Sequence, residues 1–186
     1  MRRNLLIALL IFLFIGGCDW KCGKGPTTYW EVDMFTISNE RFDGEKRVLD
    51  IKESSFEDLE IVLEFAISKV ASISFNMNRL YALDCSDPAY IRNSLASIDI
   101  ITVFDINDDY LAGTNINEIV TLDRFNIDEI IEFEPYELHD FFGIGRVFMS
   151  IAERILPEQE FSLDITIKFS DGKVLNQISD PIMIIN

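Results

Sequence analysis

Apolar and polar residues alternate along much of this chain, and the clearest run is Phe161-Ser-Leu-Asp-Ile-Thr-Ile-Lys-Phe169, with five apolar side chains on one face and four polar ones on the other. Successive side chains of a strand point to opposite faces, so the run predicts a half-buried strand. It stops at Ser170-Asp-Gly-Lys173. Asp-Gly suits a tight turn with positive φ, and Val174 to Ile178 is the returning strand of the hairpin. Pro181 to Ile185 reads as a terminal strand, with its proline at the start, where no ladder donor is needed.

Upstream, Leu59, Ile61, Leu63, Phe65 and Ile67 recur at every second position. This favours a strand, although Leu59 to Ala71 carries enough helix formers to keep an amphipathic helix as the alternative. Tyr29 to Ser38, Ile73 to Ala82, Ser97 to Asp105 and Arg146 to Ala152 are further strand candidates. Helical signals are short and lie between them. Asn115-Ile-Asn-Glu118 and Asn126-Ile-Asp-Glu129 have the spacing of a capping box, and Pro135 opens a turn that Gly143 would end. About eight strands with one-turn or two-turn helices predict an all-β, mainly antiparallel fold, an immunoglobulin-like or related β-sandwich.

The N-terminus has a different pattern. Arg2 and Arg3 precede Leu5 to Ile15, 11 residues without a polar side chain, and Ile15-Gly16-Gly17 leads into Cys18. A spanning helix needs roughly 20 apolar residues, and a signal peptide about 7 to 15. Gly-Gly-Cys resembles a lipobox, at which bacterial lipoproteins are acylated and cut. The expected organisation is therefore a signal peptide over 1–17, a tether over 18–28 lipidated at Cys18, and a single sandwich domain over 29–186. A diacylated cysteine holds a protein to a membrane without spanning it, because each buried CH₂ adds about 0.8 kcal/mol.

Charge narrows the range of partners. Of 16 basic residues, Arg2 and Arg3 leave with the signal, so 14 face 32 acidic ones and the mature charge is −18. Such a field repels nucleic acid and anionic headgroups. With 15 Phe and 5 Tyr the chain has the means to build a core, unlike a disordered one. Once Cys18 carries lipid, Cys22 and Cys85 remain, either free or joined in a disulfide.

Chemistry is sparse. His139 is the only histidine, too few for a His₂ or His₃ metal centre, and no cysteine pair has zinc spacing. No Gly-x-Ser-x-Gly elbow occurs in the mature domain, and its Ser-x-x-Lys spacing, Ser170 to Lys173, falls in the Asp-Gly turn. No cofactor, resident metal or catalytic residue is expected. Two clusters qualify as candidate sites. Asp105-Ile-Asn107-Asp108-Asp109 offers hard oxygens for a cation, yet an EF-hand wants Gly and Glu where Tyr110 and Ile116 stand, and Asx residues equally build turns. Phe141-Phe142-Gly143-Ile144-Gly145 is either a sticky contact loop through Phe141, Phe142 and Ile144, or core at a tight bend, which is the favoured reading.

Tyr81-Ala-Leu-Asp-Cys85-Ser-Asp-Pro88, Ser97 to Asp105, Asp108 to Thr114, Asn117-Glu-Ile and the Phe161 to Gly172 strand together resemble a family of uncharacterised Bacteroidetes lipoproteins, over most of residues 59 to 186. Leu83-Asp84 departs from the small residue more usual there. The resemblance implies a place in the bacterial cell envelope, lipid-anchored on the periplasmic face or the cell surface, and carries no catalytic residues over. The expected function is a non-enzymatic module that binds an envelope protein or a small-molecule or glycan ligand. A structural subunit of an envelope complex is the alternative, and a carboxylate hydrolase comes third.

Overall fold

The computed structural model describes residues 27–42, 47–49, 51–73 and 89–185. Its fold is all-β and mainly antiparallel, a sandwich of open sheets with short helices in the connections. Strands β1 (Thr27–Phe42) and β4 (Leu59–Ile73) form a long antiparallel ribbon from Thr27 opposite Ile73 to Arg41 opposite Leu59, with register shifts between Tyr29 and Trp30 and between Val32 and Met34. The helix alternative over Leu59 to Ala71 is thereby overturned. Ile61, Leu63 and Phe65 lie in the core while Glu64 and Ala66 are exposed, the alternation that a period of two produces and a helix would scramble, and Val62 on the other face is buried as well.

β2 (Arg47–Leu49) pairs with the end of β1, and β5 (Ala89–Ile91) runs parallel to its start. On the far side of β4 come β9 (Arg146–Ile151), β7 (Val120–Leu122) and β8 (Phe125–Asn126). A second sheet holds β6 (Leu95–Thr102), β11 (Leu163–Phe169) and β12 (Val174–Ile178), in the order β12-β11-β6. A third joins β10 (Gln159–Phe161), β13 (Ile182–Ile185) and β3 (Glu53–Ser55), the last pair parallel. The strand expected over Ile73 to Ala82 lies, beyond Ile73, outside the described residues, as do Cys18, Cys22 and Cys85.

The Phe161 to Phe169 run is two strands. All five of its apolar residues are buried, but the ladder breaks at Ser162, where the chain leaves β13 and joins β6. Ser162 is itself buried. Its hydroxyl donates to the Ser179 carbonyl at 2.7 Å, and the Ser179 hydroxyl accepts the Leu163 N–H at 2.9 Å. Two serines thus satisfy the backbone at the corner between sheets, where an open peptide group would cost about 1–3 kcal/mol. The hairpin matches the Asp-Gly expectation, with Gly172 at φ 90°.

Helix α1 (Ile127–Ile131) starts in a complete capping box, Asn126 with Glu129, and buries Ile127 and Ile130. Helix α2 (Pro135–Gly143) has proline in its first turn and buries Leu138, Phe141 and Phe142. The box expected at Asn115 does not form. The Asn115 side chain accepts the N–H of Asn117, two residues on, and the chain there makes a single 3₁₀ turn, Asn117–Ile119.

Aromatic rings stitch the layers together. Phe35 on β1 lies 5.7 Å from Phe65 on β4, Phe65 lies 4.7 Å from Phe142 on α2, and Phe142 lies 6.5 Å from Phe169 on β11. Phe142 bridges two sheets. These rings belong to one continuous core with the inward residues of all three sheets and both helices.

Candidate functional site

In the Asp105 to Thr114 turn, the Asn107 side-chain oxygen accepts the N–H groups of Asp109 and Tyr110, at 3.0 and 3.1 Å, and an Asp105 carboxylate oxygen accepts the Ala112 N–H at 2.6 Å. Both oxygens therefore face backbone. Asp108 and Asp109 point to solvent, Ile106 anchors the turn in the core, and Gly113 takes φ 84°. Among the described residues no group of three His, Cys, Asp or Glu side chains is placed to hold a metal ion.

The Phe141 to Gly145 joint divides. Phe141 and Phe142 lie in the core at 4% and 1% exposure, while Ile144 is 65% exposed. A contact loop through all three residues is thereby corrected to one exposed side chain. The cause is helical spacing: Phe141 and Phe142 fall on the α2 face that already carries Leu138, and Ile144 comes after the helix end. His139, on the same helix, places its ring 5.9 Å from that of Trp30 and its Nδ1 3.4 Å from Asp140.

A concave feature lies elsewhere. An open cleft of about 620 Å³ is walled by Asn115, Asn117 and Glu118 on one side and by Asn126, Asp128 and Glu129 on the other, with Ile127 between. Both walls come from the two Asn-x-x-Glu segments, 11 residues apart in sequence. One became a true helix cap and the other a 3₁₀ turn, and they converge because α1 packs against β6 and β7. Sequence reasoning read these residues as local caps. Their repeated composition was the available signal that they share a surface.

Each wall is held from behind. The Asn117 carboxamide accepts the Ile100 N–H at 3.0 Å and donates to the Ile98 carbonyl at 2.6 Å, fixing the turn to β6. A Glu118 carboxylate oxygen accepts the Tyr110 hydroxyl at 3.2 Å, which ties the cleft to the Asp105 turn. Partial burial of the Tyr110 ring, with the Glu118 hydrogen bond and charge, raises the phenol above its ordinary pKa. The Glu129 carboxylate accepts the Asn126 N–H at 2.9 Å, so of the cleft's three acids Asp128 is the one left exposed with no side-chain hydrogen bond to the described residues. The site is thus oxygen-rich, negative and rigidly backed. Such a surface suits a cationic, donor-bearing ligand.

Comparison with family models, with curated proteins and with solved structures found no match for this chain.

Proposed function

We propose that this protein is a lipid-tethered, non-enzymatic binding module of the bacterial cell envelope, and that the cleft between Asn115–Glu118 and Asn126–Glu129 takes a cationic segment of an envelope partner. The single observation that carries the ligand part is that cleft: an open concavity walled by three carboxylates and three carboxamides, on a chain whose net charge is −16. The tether part rests on the Arg2 to Cys18 segment, and the resemblance to Bacteroidetes lipoproteins supports the same location. A hydrolase needs two acids free to flank a scissile bond. Here Glu129 is engaged as a helix cap and Glu118 by Tyr110, which favours holding a ligand over cleaving one.

Titrating a lysine-rich peptide into the protein, monitored by calorimetry, tests the ligand part. Saturable binding that weakens at least about tenfold in a Glu118→Gln, Asp128→Asn double variant is expected, because two charge partners on the cleft walls are lost. Neutralising Asp108 and Asp109 instead, on the neighbouring turn, should matter far less. Equal weakening by both pairs would reduce the effect to the overall charge and contradict the site.

A further inference from the structure

With lipid at Cys18, the first residue of β1 lies nine residues from the membrane. A flexible tether of that length averages roughly 17 Å end to end, whereas β1 itself runs on for about 50 Å. The anchor therefore keeps the Thr27 end of the β1–β4 ribbon near the bilayer and the Phe42 end far from it.

That end carries an aromatic and apolar surface. Tyr29 stands opposite Ala71 of β4 on one side and Tyr90 of β5 on the other, so the three form one row across the sheet, with the two phenol rings 6.2 Å apart. The next pair, Trp30 and Ile91, turns to the other face, where Ile91 is buried and the Trp30 ring meets His139 of α2. Beside the row, the register shift at Tyr29 leaves Val70 without a β1 partner; it is 42% exposed, and Lys69 and Ala71 on either side of it are exposed as well. Charge changes here too. The chain is −16 overall, yet residues 27–31, 69–73 and 89–92 hold Lys69 and Arg92 against Glu31 alone, with Arg92 bonded to Glu31 at 3.2 Å. Screening reaches only about 8 Å at physiological ionic strength, so a headgroup beside Tyr29 senses this local balance more than the acidic body.

We infer that the row Ala71, Tyr29 and Tyr90, with Val70 beside it, rests on the lipid surface and sets how the tethered domain stands on its membrane. The inference rests on the lipid anchor at Cys18. Tyrosine joins an apolar ring to a polar tip, and such side chains settle at the headgroup level of a bilayer. Val70 and Ala71 add apolar area to the same contact, and Lys69 brings an ammonium group to the lipid phosphates. The patch is small, and on a free domain it would hold weakly. A tether keeps it beside the bilayer at high effective concentration, so a weak contact is enough to fix the orientation.

Thiol labelling of the lipidated chain, reconstituted into vesicles of phosphatidylethanolamine and phosphatidylglycerol, tests this. A Val70→Cys variant is treated with a water-soluble maleimide, and modification at position 70 is read by peptide mass spectrometry. Leu111→Cys is the control, 55% exposed and bonded through its carbonyl to Thr102 at the far end of β6. Position 70 should label at least about fivefold more slowly on vesicles than in the same variant carrying Cys18→Ser and left in solution, as a site docked about four-fifths of the time would. Position 111 should label alike in both. Adding Ala71→Glu, which puts an acid into the row, should bring position 70 on vesicles back towards its rate in solution. Equal rates at position 70 with the chain still anchored would overturn the docking and leave the anchor standing. Equally slow labelling in both forms would mean that protein, not lipid, covers Val70, and would overturn it as well. A Cys18→Ser chain that binds the vesicles as tightly as the unsubstituted one would remove the anchor, and the inference with it.

Discussion

The side chain of Asn117 pairs with the backbone at Ile100 as another strand would, accepting the Ile100 N–H at 3.0 Å and donating to the Ile98 carbonyl two residues earlier at 2.6 Å. The Ile116 N–H adds a bond to the Ile100 carbonyl at 2.9 Å. The 3₁₀ turn thereby closes the β6 edge of the second sheet and sets one wall of the cleft. Asn117→Ala is expected to destabilise the fold by about 1–3 kcal/mol, the cost of leaving part-buried peptide groups unmade. Urea unfolding reads the loss, and the Ile100 amide should exchange with solvent faster in the variant. Unchanged protection at Ile100 would argue against the pairing.

The joint after α2 makes a sharper contrast. Phe142→Ala removes the ring that bridges Phe65 and Phe169 and is expected to cost about 3–5 kcal/mol. Ile144→Ala, two residues later and mostly exposed, should stay within about 0.5 kcal/mol. Thermal unfolding of both variants distinguishes a core bend from a contact loop.

Glu40 is 1% exposed on β1 and is bound by the Arg146 guanidinium of β9, with the Ser38 hydroxyl at 3.2 Å. Arg146 also reaches Glu64 at 3.3 Å. Arg146 is itself 37% exposed but Glu40 is buried, so Arg146→Ala strands a buried carboxylate and should cost about 1–3 kcal/mol. Adding Glu40→Gln to Arg146→Ala should recover part of that loss. A double variant no more stable than Arg146→Ala alone would contradict the buried pairing.

Tyr110 gives the pH dependence a sign. Its phenol sits above 10.0, through partial burial and then the Glu118 hydrogen bond and charge, so the folded protein holds that proton more tightly than the unfolded chain does. The contribution is complete at neutral pH and disappears as pH rises above 10 through the folded value. Glu118→Gln should bring the Tyr110 titration back towards normal. Alkaline titration of phenolate absorbance, with Tyr110→Phe to identify the residue, checks it.

Much of the fold was legible because burial on one face forces alternation. The β4 and β11 runs and the Asp-Gly hairpin could be placed from spacing alone. The break at Ser162 was not legible, since a serine that satisfies a corner looks, in a pattern of polar and apolar positions, like a serine that faces water. The Asn126 cap and the Asn115 turn share one sequence signature, and only packing decided which would cap a helix, because an Asn oxygen can take an N–H two residues on as readily as three. The cleft was hidden for the same reason: local hydrogen bonds explained its residues one segment at a time, and their convergence depends on α1 meeting β6.

The central claim is that this domain works from a lipid anchor at Cys18, and feeding cells an alkyne-bearing fatty acid while tracking membrane partition tests it most directly. The unsubstituted chain should take the label and sediment with membranes, and Cys18→Ser should lose the label and leave the membrane fraction. A Cys18→Ser protein that still labels and still sediments would contradict the account.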